Sequence, residues 1–297
     1  MTTVRGARFG GPSAAAGLVV VGLVCQEVGA AFAVLLFPSV GALGMVALRL
    51  TFSALVLLAI ARPSVRGRSR GDWMTVVGFG LALALMNALF YEALARIPLG
   101  ATVTIEVLGP LVLSVVTSRR ASSWLWAVLA FVGVFLLGQG SFGDLDPVGV
   151  LFAVGAGATW AGYILLSSRT GSRFARLDGL ALAMAIGAVL TLPFGVLAAG
   201  PAIVRPDILL LGAAVALLSS TIPYALELFA LRRIPSSSFA ILMSLAPAMA
   251  ALAGVVLLAQ HVSVLGVIAI GLVVVASIGA VRSARPGTIP GARADVV

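Results

Sequence analysis

Long apolar segments, each close to the length of a membrane span, constrain the fold of this chain most. A helix needs about 20 apolar residues to cross the hydrocarbon core of a bilayer. The 297-residue sequence contains ten such segments, with approximate limits 14–36, 41–61, 73–95, 101–117, 124–138, 148–168, 179–199, 208–231, 239–259 and 263–281. Only 10% of its residues are charged, whereas soluble domains carry about 25%. The sequence therefore predicts an all-α membrane protein with ten transmembrane helices.

A short internal repeat predicts how these helices are arranged. Ala93–Pro98 (ALARIP) recurs 137 positions later as Ala230–Pro235 (ALRRIP), and at the same offset Pro110 falls on Pro247. Five spans per copy is an odd number, so the second copy must cross the membrane in the opposite sense. Inverted repeats are typical of secondary transporters, whose solute site lies near the bilayer midplane where the repeats meet. We therefore expect two inverted five-helix repeats around a solute cavity.

The spans and the repeat together predict four regions. Residues 1–13 form a cytoplasmic N-terminal arm, 14–138 the first five-helix repeat, 139–281 the second repeat and 282–297 a cytoplasmic tail. The tail is polar and contains the stretch Arg285–Gly291 (RPGTIPG), a composition typical of disorder.

The arginines predict the orientation, and the chain contains no lysine. Arginine and lysine concentrate in cytoplasmic loops. A cytoplasmic N-terminus places 16 of the 19 arginines on that side, namely Arg5, Arg8, Arg62, Arg66, Arg68, Arg70, Arg119, Arg120, Arg169, Arg173, Arg176, Arg232, Arg233, Arg282, Arg285 and Arg293. Only Arg96 and Arg205 fall on the other side. Both termini are therefore predicted to be cytoplasmic. The net charge of +9 reflects topology rather than a nucleic-acid partner.

The sequence lacks the residues and motifs that several classes of function require. One cysteine, Cys25, and one histidine, His261, cannot build a His/Cys metal cluster or an internal disulfide. The absence of lysine excludes a Walker A loop and a Schiff-base cofactor. The segments contain no H-E-x-x-H, no G-x-S-x-G and no paired aspartates. We therefore expect no enzyme activity, no metal and no cofactor.

Five ionisable residues lie inside the apolar segments: Glu27, Arg49, Glu92, Glu106 and Glu227. A charge at the centre of a membrane helix costs roughly 2.5–3.5 kcal/mol on insertion scales and usually marks an ion pair, a watery cavity or a solute site. Arg49 either pairs with a glutamate, faces the carboxylate of a solute or locks two helices together. The excess of carboxylates suits an ammonium group or protons. Glu92 is the weakest candidate, because its position one step round the helix from Tyr91 predicts that it lies near the outer surface.

Polar and aromatic residues extend this candidate site. Asn87, the only asparagine in the chain, and Tyr91 are four residues apart and share a helix face. Trp160 and Tyr163 would form an aromatic wall, although interfacial anchoring or packing explains them as well. The eighth segment carries a further group of candidate residues, the polar Ser220, Tyr224 and Glu227 together with Pro223.

Two prolines predict helix breaks beside the site. Thr102, Glu106 and Pro110 share one face of the fourth segment. Pro110 lacks the N–H that would bond the carbonyl of Glu106, so the helix should bend or open there. Pro247 predicts a bend in the ninth segment. Broken helices expose backbone polar groups to solutes in transporters.

The sequence also resembles the drug/metabolite transporter superfamily (EamA domains), and within it the threonine/homoserine exporter branch. The resemblance covers nearly the whole chain and rests on Gly29-Ala30, Leu36-Phe37-Pro38, Ala47–Leu50, Met86-Asn87, Phe90-Tyr91, Ile97–Gly100, Glu106 with Gly109–Leu111, Ser118–Arg120, Trp160-Ala161, Tyr163–Leu165, Pro223-Tyr224, Leu226-Glu227, Met243-Ser244 and Pro247-Ala248. It implies ten helices in two inverted units in the inner membrane of a bacterium. It also implies export of small amino acids by proton antiport.

The chain departs from that branch at three places, which leaves the solute and the coupling ion open. Val34 stands where the branch often has lysine, Ala246 where it commonly has glutamate, and Ala259-Gln260 where it often has Gly-Glu. Another small metabolite or a cationic drug is the alternative solute. Glycines of the tenth segment (Gly266, Gly271 and Gly279) offer a surface for a homodimer.

Overall fold

The computed structural model describes residues 12–118, 121–137, 139, 145–174, 177–223, 226, 230 and 242–283. Helices joined by short turns make up this part of the chain, which contains no strand. The helices are α1 Pro12–Ala61, α2 Arg70–Leu94, α3 Leu99–Glu106, α4 Leu108–Ser118, α5 Ala121–Leu137, α6 Pro147–Gly171, α7 Asp178–Ala199, α8 Pro206–Ala216, α9 Ala246–Leu258 and α10 Val264–Ser283. A 3₁₀ turn covers Gly200–Val204, and a π-helical turn, Leu217–Thr221, follows α8.

The all-α prediction is confirmed, and the helices have the character of membrane spans. Among the described residues, five helices are long and apolar enough to cross a bilayer: Ala14–Ala61, Arg70–Leu94, Pro147–Gly171, Asp178–Val204 and Val264–Arg282. Shorter apolar helices occupy Leu99–Leu113, Trp124–Leu136, Pro206–Thr221 and Ala246–Leu258. The inverted ten-span arrangement stays a prediction at this point.

The first two predicted segments form one helical stretch that is broken at Gly41. This residue has φ of +69° and ψ of 169°, which separates two helices within Pro12–Ala61. Glycine adopts positive φ at little cost because it has no Cβ. Pro38, just before the break, lacks a backbone donor. The chain therefore changes direction close to the predicted boundary between 36 and 41.

Capping residues place the starts of α2 and α6. The Ser69 hydroxyl accepts a hydrogen bond from the backbone N–H of Asp72 at 3.1 Å, and the Asp72 carboxylate accepts one from the N–H of Ser69 at 3.0 Å. This reciprocal pair is a capping box. Asp146 caps α6 by accepting from the N–H of Val148 at 3.0 Å, and Pro147 occupies the first turn.

Helices from the two halves of the sequence pack directly on each other. α1 lies against α7 and α8, α2 against α6 and α7, α3 against α9, and α5 against α10. The largest core cluster accordingly joins Leu50, Leu83 and Tyr91 from the first half with Met184 and Val215 from the second. One shared core between the halves places the polar residues of α1, α2 and α3 against helices of the second half.

Candidate functional site

Arg49 is the centre of a buried polar cluster that joins three parts of the fold. It lies in the second half of α1 and is 8% exposed. Its Nε donates to the Ser220 hydroxyl at 3.1 Å, Nη1 to the Tyr91 hydroxyl at 3.2 Å and Nη2 to the carbonyl of Ser219 at 3.1 Å. The guanidinium group also lies 5.5 Å from the centre of the Tyr91 ring. Arg49 therefore ties α1 to α2 and to the π-helical turn.

The π-helical turn supplies polar groups from the second half of the chain. π-helical turns inside α-helices occur frequently at functional sites. Here the turn contributes the Ser219 carbonyl and the Ser220 hydroxyl to Arg49. The hydroxyls of Ser219 and Thr221 are buried and have no hydrogen-bond partner in the described part of the chain. Gly29 of α1 lets the turn approach, because a Cβ there would run into the Ser219 hydroxyl.

Two of the predicted carboxylates belong to the same cluster. Glu27 and Glu106 are 2% and 9% exposed. The charge of Glu106 interacts with those of Glu27 and Arg49, and Glu27 likewise interacts with Arg49. One carboxylate oxygen of Glu27, Oε2, has no hydrogen-bond partner among the described residues. An unpaired oxygen on a buried carboxylate is costly, so it is available to a proton or a donor group of a solute.

The predicted pair Asn87 and Tyr91 lies on α2 beside this cluster, but both side chains are already engaged. Asn87 is buried and its amide donates to the Leu83 carbonyl at 2.8 Å. Tyr91 is fully buried and its ring packs on Phe37 and Phe90, with centroids 5.7 and 5.8 Å away. Its hydroxyl accepts from Arg49. Tyr91 therefore orients Arg49 and keeps only its own O–H proton for another acceptor.

The helix break beside Glu106 lies at Val107. α3 ends at Glu106 and α4 begins at Leu108. Pro110, which lacks a backbone N–H, is four residues beyond Glu106. On the other side, a Cβ at Gly157 of α6 would lie only 2.6 Å from the Glu106 carbonyl oxygen. The backbone of Glu106 thus lies where the interruption between α3 and α4 touches a second-half helix.

The remaining predicted site residues lie elsewhere or outside the described residues. Glu92 forms an ion pair with Arg96, four residues along. Tyr163 is half-buried and packs on Phe79, with ring centroids 5.1 Å apart, towards the C-terminal end of α6. Trp160, one turn earlier, is also half-buried. Tyr224 and Glu227 lie outside the described residues.

Pro247 lies in the first turn of α9. The chain turns at Ser244 and Leu245 immediately before this helix. Proline fits a helix start because its missing N–H would be unbonded there anyway. The ninth segment is therefore interrupted just before Pro247 and not bent within a continuous helix.

Sequence comparison supplies the family. Residues 147–282 match the EamA-like transporter family. The threonine/homoserine exporter RhtA of Escherichia coli (strain K12) is 37% identical over 270 residues, which are 90% of this chain and 91% of that protein. This chain belongs to the EamA-like transporter family.

Other relatives of this EamA-like transporter agree. The threonine/homoserine exporter RhtA of Salmonella typhimurium (strain SL1344) is 39% identical over 259 residues, which are 86% of this chain and 88% of that protein. An uncharacterized transporter of Bacillus subtilis, YvbV, is 28% identical over about half of each chain. A crystal structure with 21% sequence identity matches the fold with a TM-score of 0.62 and covers 89% of this chain and 96% of that one. The transporter is therefore a multi-pass membrane protein with the fold of that structure.

Proposed function

We propose that this EamA-like transporter exports small amino acids of the threonine and homoserine type by proton antiport. The single observation that carries the proposal is the buried cluster in which Arg49, Glu27 and Glu106 meet the π-helical turn of the second half. Relatives that are 37% and 39% identical over most of the chain carry the name threonine/homoserine exporter.

The chemistry of the cluster suits a zwitterion. The guanidinium of Arg49 attracts the carboxylate of the solute, and Glu27 and Glu106 attract its ammonium group. The carboxylates of Glu27, Glu106 and Glu227 outnumber Arg49, so a proton or the ammonium group balances the excess negative charge. Because the proton and the ammonium group compete for this negative charge, transport of the solute is coupled to transport of a proton. Asn87, Tyr91, Trp160, Tyr163, Tyr224 and Glu227 complete the proposed site.

The proposed topology is the one that alternating access requires. Residues 14–138 and 139–281 form two inverted five-helix repeats that rock about the cluster. Both termini are cytoplasmic, as the arginine distribution predicts, and the membrane is the inner membrane of a bacterium. Packing of α1 on α7 and of α2 on α6 supports a site between the halves.

Removing the charge of Glu106 tests the coupling. In proteoliposomes with an imposed pH gradient, we expect Glu106→Gln to lower proton-driven threonine transport about tenfold or more, which corresponds to about 1.4 kcal/mol. Glutamine keeps the size of the side chain but cannot exchange a proton. Glu92→Gln is the matched control, because Glu92 pairs with Arg96 away from the cluster, and should keep most of the activity.

The same assay distinguishes a wrong coupling role for Glu106 from a wrong class of solute. Full proton-driven transport by Glu106→Gln would refute its coupling role. Transport of bulky cationic dyes without any transport of threonine or homoserine by the unaltered protein would refute the solute class.

The hydroxyl of Ser219 provides a test of solute contact without loss of stability. It has no hydrogen-bond partner in the described part of the chain, so Ser219→Ala removes an unsatisfied buried group and should not lower the free energy of unfolding. A hydrogen bond to a solute contributes about 0.5–1.5 kcal/mol, so the KM for threonine should rise about two- to tenfold. Transport kinetics and thermal unfolding in detergent measure both quantities. An unchanged KM would place the hydroxyl outside the solute site.

A further inference from the structure

A cavity lined by both polar and apolar residues lies outside the Arg49 cluster, between α2, α6 and α7. Its volume is about 160 Å³, and its walls include Phe79, Tyr163, Ser167, Thr170 and Phe174. Pockets for drug-sized ligands measure about 300–1,000 Å³, so this cavity suits a smaller solute. We call it the α6–α7 cavity.

Two ion pairs connect the elements that surround the α6–α7 cavity. Arg68, in the segment before α2, pairs with Asp178 at the start of α7 at 3.7 Å. Arg173, just after α6, pairs with Asp72 in the first turn of α2 at 3.2 Å. These side chains are 20–46% exposed, and solvent makes such pairs weak enough to open and close readily.

The ion pairs and the cavity share a wall. The Arg68 guanidinium lies 4.6 Å from the centre of the Phe174 ring, and Phe174 lines the cavity. Gly179 and Leu180, which also line it, directly follow Asp178. Opening the Arg68–Asp178 pair would therefore widen access to the cavity from the end of the protein that holds Arg68 and Arg173, which we call the arginine-rich end.

The inner end of the cavity points along α6 towards the cluster. Tyr163 lines the cavity, and Gly157, whose backbone meets the Glu106 carbonyl, is six residues earlier. Six residues of α-helix span about 9 Å. The cavity therefore occupies the stretch between the arginine-rich end and the Arg49 cluster.

We propose that the α6–α7 cavity is a second solute site, which receives a small zwitterionic amino acid before it reaches the Arg49 cluster. This inference rests on the proposed function. Charges of both signs beside the cavity match the carboxylate and ammonium groups of such a solute. Hydroxyl and aromatic side chains line the interior. Both ion pairs are formed in the structure, and opening them would widen the access to the cavity.

Cysteine labelling tests the site directly. The sole cysteine is first removed by Cys25→Ser, and Ser167→Cys then places a thiol in the cavity wall. Ser168→Cys is the matched control, because Ser168 is the next residue of α6 and does not line the cavity. The labelling reagent is a membrane-impermeant methanethiosulfonate, applied to membrane vesicles whose arginine-rich side faces outward.

Protection by solute is the expected result. With threonine at about three times its dissociation constant, mass action leaves about a quarter of the sites free. The labelling rate at Ser167→Cys should fall about fourfold, and the rate at Ser168→Cys should not change. Sucrose at the same concentration should protect neither. If the Ser167→Cys protein does not fold, Leu180→Cys places a thiol in the wall of the same cavity and is labelled instead.

The ion pairs are tested on the same background. Arg68→Asp should raise the labelling rate of Ser167→Cys without solute, and the exchanged pair Arg68→Asp/Asp178→Arg should bring it back towards the starting value. Absence of protection in vesicles that transport threonine would overturn the second site and leave the proposed function intact. Vesicles of the unaltered protein that do not transport threonine would instead overturn the proposed function.

Discussion

Replacing Arg49 with methionine is expected to abolish threonine transport and to lower the stability of the folded protein. The substitution removes three hydrogen bonds at once, to the Ser220 hydroxyl, the Tyr91 hydroxyl and the Ser219 carbonyl. It also leaves Glu27 and Glu106 buried without the positive charge that acts on both. Removing one partner of a buried charged group typically costs about 3–5 kcal/mol. We therefore expect a clearly lower thermal midpoint in detergent and no measurable uptake into proteoliposomes.

Two further variants separate charge from geometry at this position. Arg49→Lys keeps the charge, but a single ammonium group cannot reproduce the planar fork of donors that arginine offers to three acceptors. It should restore part of the stability and little of the transport. Tyr91→Phe removes one hydroxyl acceptor of a charged donor and should cost about 1.5–3 kcal/mol. An Arg49→Met protein with the thermal midpoint and transport rate of the unaltered chain would contradict the role given to this residue.

The helices could be predicted because span length and apolarity are properties of consecutive residues. Most described residues of each apolar segment are helical, and the break at Gly41 falls near a predicted boundary. The division of the fourth segment at Val107 follows from Pro110 in the same way. The merged span of α1 differs from two separate segments only because the chain continues through Pro38 almost without a loop.

The site was predictable where a residue type alone is informative. A charged side chain in an apolar segment is costly wherever it points, which is why Glu27, Arg49 and Glu106 could be selected before their contacts were known. The hydrogen-bond partners of Arg49 could not be predicted, because they depend on how α1 packs against the second half. Ser219 was missed for that reason. The run Ser219-Ser220-Thr221 inside an apolar segment was the available signal.

The contacts of Tyr163 could not be predicted from the sequence either. The three-residue spacing between Trp160 and Tyr163 predicts a shared helix face, but not which neighbour that face meets. In the structure Tyr163 packs on Phe79 and lines the α6–α7 cavity. The rotation of α6 about its axis, which packing against α2 sets, determines which neighbours Tyr163 contacts.

The second large effect is expected at the contact between Gly109 of α4 and Gly157 of α6. A Cβ at Gly109 would collide with the Gly157 carbonyl, and one at Gly157 would lie 2.6 Å from the Glu106 carbonyl oxygen. Both obstacles are backbone atoms, so neither can move aside as a flexible side chain would. Gly109→Ala and Gly157→Ala should each destabilise the protein by about 1–3 kcal/mol, the usual cost of overpacking. Both should also reduce threonine transport, because the separation of α4 from α6 shifts Glu106 away from the Arg49 cluster.

Gly162 provides the matched control on the same helix. A Cβ at Gly162 meets no atom within 4 Å. Because alanine is a better helix former than glycine by about 1 kcal/mol, Gly162→Ala should leave stability unchanged or raise it slightly. Thermal midpoints in detergent and transport rates in proteoliposomes measure all three variants. If Gly109→Ala and Gly157→Ala matched Gly162→Ala in both readouts, the close approach of α4 and α6 could not be what holds Glu106 in place. In that case the carboxylate would have to be positioned by α3 and its contacts with α9 instead.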